Sequence, residues 1–514
     1  MRNKKLLASG IICLGAIAVM FVADKFDKIS EKSMQREHQH LVEQKEEELP
    51  ETTLDITAEG FSTHLPLVIL NTDGQKILSK LDTDGDPRIS INVQIIDNKN
   101  GLNYIGDKPA VDSQTKIRYR GNSSLYHDKK QYGLKFINDD GTDYDVEVMG
   151  MEAGCDWVLN GTFLDKSLIR NYISYNIAGE IMGYAPNIRF CEVFINDGQT
   201  YTYQGLYTMI ESIERSATRV NITKYDENRT ESSYIIRRDR YSEDEVMLHN
   251  YGTVNGITQE WLGVKYPSAS KITDATLKYI ENDISTIEKI LYSDDYEVFK
   301  TYSNYINVDS FIDYHIINEY FGNFDAGIHS TYAYKDLTGK LTMGPVWDYD
   351  GAMDNATPCE LKTNALAFQS SSWFDALIKD EEYCRKLEKR YNELRQNVLS
   401  DEYIDKYIDE TVEYLGKAID RNQIIWGYIY DLNLLINDPN EYGIVNNRNV
   451  KTYDEEISRI KLALHRHANY MDSNLYRDLS NNVIYEPEHL NAMALLAVFF
   501  VVGFFIIVIF VRQE

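Results

Sequence analysis

The sequence stretch NFDAGIHSTYAYKDLTGKLTMGPVWDYDGAMD, Asn323 to Asp354, contains a group of acidic residues on which the interpretation of the whole chain depends. Asp325 stands alone after a turn. Three more carboxylates follow a short predicted strand–hairpin–strand: Asp348, Asp350 and Asp354. In phosphoryl-transfer sites one carboxylate positions the attacking hydroxyl and others hold magnesium against nucleotide phosphates. For this stretch taken alone, aspartates that merely form turns are the favoured alternative.

The sequence on either side of this stretch predicts two halves of different secondary structure. Upstream, from near Leu65, the segments LPLVILNT, RISINVQIID, TKIRYRG and KKQYGLKFI have the apolar pattern of strands. One helix follows them, with Asp165 as its N-cap and Gly183 as its stop. Beyond about Ser268 the apolar spacing is helical. We therefore predict an α+β fold with a sheet-rich N-lobe, 54–265, a helix-rich C-lobe, 266–482, and the acidic stretch beside a cleft between the lobes.

The two ends of the chain carry apolar runs, residues 6–23 and residues 492–511, each long enough to span a bilayer. A cleavable secretory signal is the alternative for the first run, but its end is a poor cleavage site, so an uncleaved anchor is preferred. The positive-inside rule then places residues 1–5 and 512–514 in the cytoplasm. This predicts a two-pass cell-membrane protein with its large domain outside, between a charged stalk, 24–53, and a linker, 483–491.

Charge and cysteine usage narrow the function further. The formal net charge of −27 disfavours a nucleic-acid partner, because phosphate tracking requires clustered Lys and Arg. Outside the first apolar run the chain has four scattered cysteines without CxxC spacing. They are Cys155, Cys191, Cys359 and Cys384. Isolated core cysteines are expected rather than metal ligands or a disulfide framework.

A second candidate site is RYRGNSSLYHDKKQYGLK, residues 118–135. Backbone N–H groups and polar side chains of the turn, including Asn122 and Ser123, are suited to wrap a phosphate, and Arg118 and Arg120 add positive charge. Lys135 on the following strand is placed to reach an α or β phosphate. An ordinary solvated turn is the alternative, since the sequence has no GxxxxGK[ST], no GxGxxG after a strand, and no HRD or DFG triplet.

Six motifs in a fixed order resolve this ambiguity: LPLVILNTDG, RYRGNSS with KKQYGLK, DWVLNGTFLDKSLIRN, QGLYTMIESI, FIDYHIINEYFGNFD and GPVWDYD. With them the chain resembles the CotH kinase family, spore-coat protein H and its relatives, which are atypical protein kinases. The resemblance implies a kinase-like two-lobed fold and the use of ATP with Mg²⁺ or Mn²⁺. It also implies a protein substrate, a surface or spore-coat protein phosphorylated on Ser or Thr.

The resemblance also implies roles for single residues. Asp325 corresponds to the acid that positions the substrate hydroxyl, and Lys135 to the phosphate-binding strand lysine. The aspartates of WDYD correspond to metal ligands. Which of Asp348 and Asp350 is the principal ligand stays open, with Asp348 preferred at its strand end. Glu211 is interpreted either as a nucleotide contact or partner of Lys135, or as an ordinary strand-end glutamate.

One position departs from the family pattern. Kinases commonly place an Asn metal ligand five residues after the catalytic Asp, and here that residue is Ser330, with His329 beside it. A serine hydroxyl ligates Mg²⁺ more weakly than an amide oxygen, so Ser330 is retained as a predicted metal ligand with altered activity or metal preference. The alternative function is a non-catalytic, kinase-like surface adhesin or assembly scaffold.

Overall fold

The computed structural model describes residues 50–98, 101–242, 245–355, 361, 364–368, 373–431 and 450–485. Within these ranges the fold is mixed α+β, which confirms the predicted class, with a sheet-rich first part and a helix-rich second part. The strands are β1 Leu67–Asn71, β2 Ile89–Ile96, β3 Val111–Tyr119, β4 Tyr132–Phe136, β5 Val146–Val148, β6 Met151–Gly154, β7 Asp156–Asn160, β8 Ile188–Asn196, β9 Tyr201–Glu211, β10 Tyr234–Asp239, β11 Val246–Met247, β12 Trp261–Tyr266, β13 Thr331–Lys335 and β14 Thr342–Met343. The α-helices are α1 Arg170–Ile181, α2 Tyr251–Val254, α3 Asp274–Leu291, α4 Tyr296–Phe299, α5 Val308–Phe321, α6 Trp373–Leu377, α7 Glu381–Arg395, α8 Asp401–Leu415, α9 Lys417–Trp426 and α10 Tyr453–Ser480.

Seven strands close into a barrel in the order β1-β2-β3-β4-β7-β9-β8. The closing pair, β1 with β8, is parallel, and the other neighbours are antiparallel. Alternate side chains, such as Leu134 and Trp157, fill the interior of the barrel. Because successive strand residues point to opposite faces, the residues between them, such as Gly133 and Lys135, lie on the outer face. This outer face forms one wall of the cleft described below.

A second sheet has the order β11-β12-β10-β13-β14. Strands β10 and β11 precede the predicted lobe boundary at 265/266, and β13 and β14 follow it, so this sheet contains strands from both predicted lobes. The lobe boundaries themselves stay predictions. In the antiparallel pair of β10 and β13, Arg238 lies opposite Thr331. This register brings Asp239, at the end of β10, next to the loop that connects α5 to β13.

The helix-rich part is organised around α5, which is buried along most of its length. It ends at Gly322, whose φ of 62° belongs to the left-handed region that favours glycine. The last described helix, α10, begins with a capping box in which Thr452 and Glu455 satisfy each other's backbone N–H groups. Both helices pack into the same hydrophobic core as α1.

The predicted two-pass membrane localisation is contradicted by the structure. No helix of the described ranges is long and apolar enough to cross a membrane. The two apolar runs, 6–23 and 492–511, on which the prediction depended lie outside the described residues, as do the linker 483–491 from residue 486 onward and the stalk 24–53 up to residue 49.

The structure describes three of the four cysteines that are expected to be isolated in the core. Cys155, Cys191 and Cys384 are buried and free. Cys359 lies outside the described residues. Cys191 and Cys384 pack into separate hydrophobic clusters, which is the position expected of a small apolar side chain.

Candidate functional site

A cleft of about 990 Å³ separates the outer face of the barrel from the second sheet and the loops beside α5. Its lining brings together most of the residues selected from the sequence: Arg118, Arg120, Asn122, Lys135, Asp325, Ser330, Asp348 and Asp350. Of Ser123 only the backbone is described, within a short 3-10 turn. The two sequence stretches that were predicted separately therefore face each other across one cavity.

Asp325 lies on the loop that follows α5. Its backbone carbonyl accepts hydrogen bonds from the N–H groups of Ile328 and His329, at 3.0 and 2.8 Å, which fold the loop into a compact turn. The side chain is half-buried. Burial raises the pKa of Asp325 and the nearby Asp348 carboxylate raises it further, against the opposing effect of His329. A half-buried carboxylate of raised basicity is suited to accept a hydrogen bond from a hydroxyl group.

Helix α1 holds the backbone of the WDYD segment. The backbone N–H of Asp348 donates to the Tyr175 hydroxyl at 3.0 Å, and that of Tyr349 donates to the Asn171 side chain at 2.8 Å. Asn171 and Tyr175 are four residues apart and share one face of α1. The Tyr349 side chain is buried in the core. Asp348 and Asp350, on either side of Tyr349, both line the cleft.

The two aspartates differ in environment. Asp348 is exposed and has a left-handed backbone with φ of 68°, whereas Asp350 is half-buried. Burial and the neighbouring Asp348 carboxylate raise the pKa of Asp350 well above its ordinary value. Two carboxylates that repel each other at a cleft surface form a donor set that fits a hard divalent cation such as Mg²⁺. Their assignment as metal ligands, and the preference for Asp348, stay predictions.

Ser330 belongs to the same acidic group. Its hydroxyl donates to the Asp348 carboxylate at 3.2 Å, and its backbone is left-handed with φ of 48°. The position that departs from the family pattern thus lies beside the predicted metal ligands.

Asp354, the last acid of the opening stretch, has a different position. It does not line the cleft, and its carboxylate pairs with Arg459 of α10 at 2.8 Å. In the same turn the fully buried Arg170 donates to the carbonyl oxygens of Ala352 and Met353, at 2.9 and 3.1 Å. Arg170 also pairs with Asp165 and with Glu456 of α10. The sequence predicts Asp165 as the N-cap of α1, but the residue before the helix is Ile169. The Asp165 carboxylate instead accepts a hydrogen bond from the Arg170 backbone N–H at 3.0 Å, and with Arg170 it fixes the turn behind the acidic group.

Arg118 and Arg120 lie side by side on the outer face of the barrel. A Cβ atom added to Gly133 would contact both arginine side chains, at 3.8 and 4.0 Å. Arg120 stacks over the Trp347 ring, 5.4 Å from its centroid. Burial and the neighbouring Arg237 lower the pKa of Arg120, whereas Asp348 acts in the opposite direction. The arginine pair therefore lies directly across the cleft from the acidic group.

The hydrogen-bond and ion-pair partners of Lys135 and Glu211 differ from those predicted. Lys135 forms ion pairs with Asp143 at 2.9 Å and with Asp156 at 3.4 Å. Glu211 is fully buried, lies outside the cleft lining, and accepts hydrogen bonds from the Asn187 backbone N–H at 2.9 Å and from the Tyr184 hydroxyl at 3.2 Å. The structure thus places Glu211 at the end of β9, with Asn187 and Tyr184 rather than Lys135 as its hydrogen-bond partners, and its role in nucleotide binding stays a prediction.

Sequence reasoning missed the cleft residues of the second sheet. Arg237 and Lys265 both bind the Glu245 carboxylate, at 2.6 and 3.1 Å, and Arg240 follows Asp239 beside the Asp325 loop. The available signal was the abrupt change from apolar to charged residues within YIIRRD.

A mixed α+β fold whose cleft holds a half-buried aspartate, an aspartate pair and an arginine pair has the groups that phosphoryl transfer requires. The family model described as CotH kinase protein matches residues 117–471, more than half of the chain. The chain therefore belongs to the CotH kinase family, and the resemblance inferred from the ordered motifs is confirmed. No curated protein matches the chain.

Proposed function

We propose that this protein is an atypical protein kinase that transfers the γ-phosphoryl group of ATP to a Ser or Thr hydroxyl of a protein substrate. The observation that carries the proposal is the meeting of Asp325, Asp348 and Asp350 with the arginine pair in one cleft of a CotH-family chain. The barrel on one side and the helices on the other correspond to the two lobes of a kinase-like fold. Surface or spore-coat proteins are the proposed substrates, in keeping with the family.

Each group has a physical role in this proposal. Asp325 accepts a hydrogen bond from the substrate hydroxyl and orients its oxygen toward the γ-phosphorus. Asp348 and Asp350, with Ser330, hold Mg²⁺ or Mn²⁺, and the bound metal supplies neutralisation of phosphate charge. Arg118 and Arg120 bind phosphate oxygens with charge-assisted hydrogen bonds, for which the planar guanidinium is well suited.

The test incubates the full-length chain and a mixture of coat or surface proteins with γ-labelled ATP, with Mg²⁺, with Mn²⁺ or with chelator. We expect metal-dependent label on Ser or Thr, reduced by a factor of about 100 or more in Asp325→Asn and Asp348→Asn. Asp84→Asn is the matched control, because Asp84 is exposed in a loop outside the cleft. A wild-type chain without any metal-dependent ATP binding or transfer would overturn the kinase proposal.

One specific observation favours the second candidate, a non-catalytic scaffold. Ser330 offers a hydroxyl where kinases commonly place an amide, and this hydroxyl is already bonded to Asp348. If the wild-type chain fails the ATP test yet captures coat or surface proteins in the same preparation, the scaffold is the function.

A further inference from the structure

The strand register gives the order of the cationic groups along the cleft. Arg118 and Arg120 are two residues apart on the same face, and Lys135 lies opposite Lys116, two residues further from the acidic group. At about 3.4 Å per residue, the level of Lys135 is about 14 Å from that of Arg120. Arg120 is near Asp348, and Arg118 is near Asp156. Moving away from the predicted metal ligands, the order is therefore Arg120, Arg118 and then Lys135 with Asp156.

The charge at the two ends of this row is opposite. Within the described residues, neither Arg118 nor Arg120 forms an ion pair, so both guanidinium groups are available to an anion. Lys135 is instead held between two carboxylates, Asp143 and Asp156. Glu214 lies nearby, within 4.8 Å of the Cys155 and Asp156 side-chain atoms, but its carboxylate pairs with Arg219, so the excess negative charge comes from Asp143 and Asp156. A phosphate group near Lys135 would be repelled by this acidic surrounding.

The neighbourhood of Lys135 suits a neutral, hydrogen-bonding ligand instead. In the antiparallel pair of β7 and β9, Trp157 lies opposite Glu211. The next residues outward, Asp156 and Ser212, therefore lie beside each other where the chain leaves the barrel. The apolar residue Ile213 follows Ser212 and lines the cleft, and Val158 lines it two residues along β7 from Asp156, opposite Gly133. Asp156 keeps about a third of its side chain exposed and offers an acceptor. Apolar surface with one acceptor and one donor is the combination that recognises the base and sugar of a nucleoside.

We propose that Lys135 and Asp156 recognise the nucleoside part of the nucleotide, whereas Arg118 and Arg120 bind its phosphates. This inference rests on the proposed kinase function and reassigns Lys135 from phosphate binding to nucleotide specificity. Asp156 accepts a hydrogen bond from a nucleoside donor, either a ribose hydroxyl or the exocyclic amino group of adenine. Lys135 orients Asp156 and donates to an acceptor on the same nucleoside.

Calorimetric titration of the full-length protein with three probes separates the two roles. The probes are Mg-ATP, adenosine, which lacks phosphate, and inorganic tripolyphosphate, which lacks the nucleoside. We expect Lys135→Met and Asp156→Asn to weaken ATP and adenosine binding about tenfold and to leave tripolyphosphate binding within twofold. Arg120→Ala is expected to weaken ATP and tripolyphosphate binding and to spare adenosine. Retained binding of one probe shows in each case that the variant is folded.

Asp84→Asn provides the matched control, because Asp84 is exposed in a loop outside the cleft lining. It should bind all three probes like the wild type. Titrations with two analogues identify the nucleoside group that donates to Asp156. 2′-Deoxy-ATP lacks one ribose hydroxyl, and ITP lacks the exocyclic amino group. If Asp156→Asn leaves the affinity for one analogue unchanged, the group missing from that analogue is the donor. The inference is overturned if Lys135→Met weakens tripolyphosphate binding while wild-type ATP binding is intact. A wild-type protein that binds no ATP overturns the kinase proposal as well.

Discussion

Ser330 shows how one residue can set the metal dependence of the proposed activity. Its hydroxyl bonds to Asp348 and its backbone is left-handed. Asparagine tolerates a positive φ better than most residues, so Ser330→Asn fits the backbone. An amide oxygen is a stronger ligand for a hard cation than a hydroxyl. We expect Ser330→Asn to lower the Mg²⁺ concentration that half-saturates phosphoryl transfer by about threefold to tenfold, and Ser330→Ala to raise it. Equal Mg²⁺ dependence in all three proteins would place Ser330 outside the metal site.

For single residues, the sequence predicted which residues lie in the cleft better than it predicted which residues contact each other. Asp325, Asp348 and Ser330 lie in one cleft as expected, because the motifs that carry them define adjoining loops. The partners of Lys135 were not predictable. Asp143 reaches it only because the chain returns after the turn near residue 140, and Glu211 instead binds Tyr184 and Asn187, which follow α1. Such contacts depend on long-range register rather than on local pattern.

Among the structural elements, strand β4 lies directly beneath the side chains of Arg118 and Arg120. They can lie over it because Gly133 has no side chain. An added Cβ would sit in ordinary contact with Arg118 and Arg120, so a larger side chain would fill the space between them. Valine favours strands, so Gly133→Val should keep the melting temperature within a few degrees. We expect ATP affinity to fall about tenfold in a calorimetric titration, because the phosphates lose their approach to the arginines. Unchanged affinity would mean that the phosphates bind elsewhere in the cleft.

Helix α10 is linked to the turn behind the acidic group through Glu456. Burial raises the pKa of Glu456, but Arg170 and Arg459 lower it to about 2. Because the folded pKa is below the unfolded value, this carboxylate contributes stability that is fully present above about pH 5 and is lost as pH falls toward 2. The difference corresponds to about 3 kcal/mol.

Glu456→Gln is therefore expected to reduce the free energy of unfolding by about 3 kcal/mol at pH 7, with a smaller difference from the wild type near pH 3. Chemical denaturation at both values measures this. Glu413→Gln is the control, because Glu413 is an exposed carboxylate on α8, and it should change stability by less than about 0.5 kcal/mol. A cost in Glu456→Gln that does not depend on pH would show that packing, rather than charge, is lost.

For the whole molecule, periodicity predicted the change from sheet to helix but not the way in which the parts join. The parallel pairing of β1 with β8 closes the barrel across more than a hundred residues of sequence. Strand patterns specify which face is buried, whereas the pairing partner depends on closure of the entire barrel. In the same way, the helical apolar spacing beyond about Ser268 includes α9, but that spacing does not predict the buried ion pair that joins α9 to the barrel.

This ion pair, Arg421 with Glu192, joins α9 to β8 at 2.6 Å with both side chains fully buried. Removal of one partner leaves the other charge buried and unpaired, so Arg421→Met should cost about 3–5 kcal/mol in the free energy of unfolding. The double variant with Glu192→Gln should recover a large part of that cost. Lys386→Met is the control, since its pair with Glu382 is exposed and should contribute less than about 1 kcal/mol. Denaturant titrations of the wild type, the two single variants and the double variant measure the coupling. Additive costs in the double variant would contradict a direct interaction between Arg421 and Glu192.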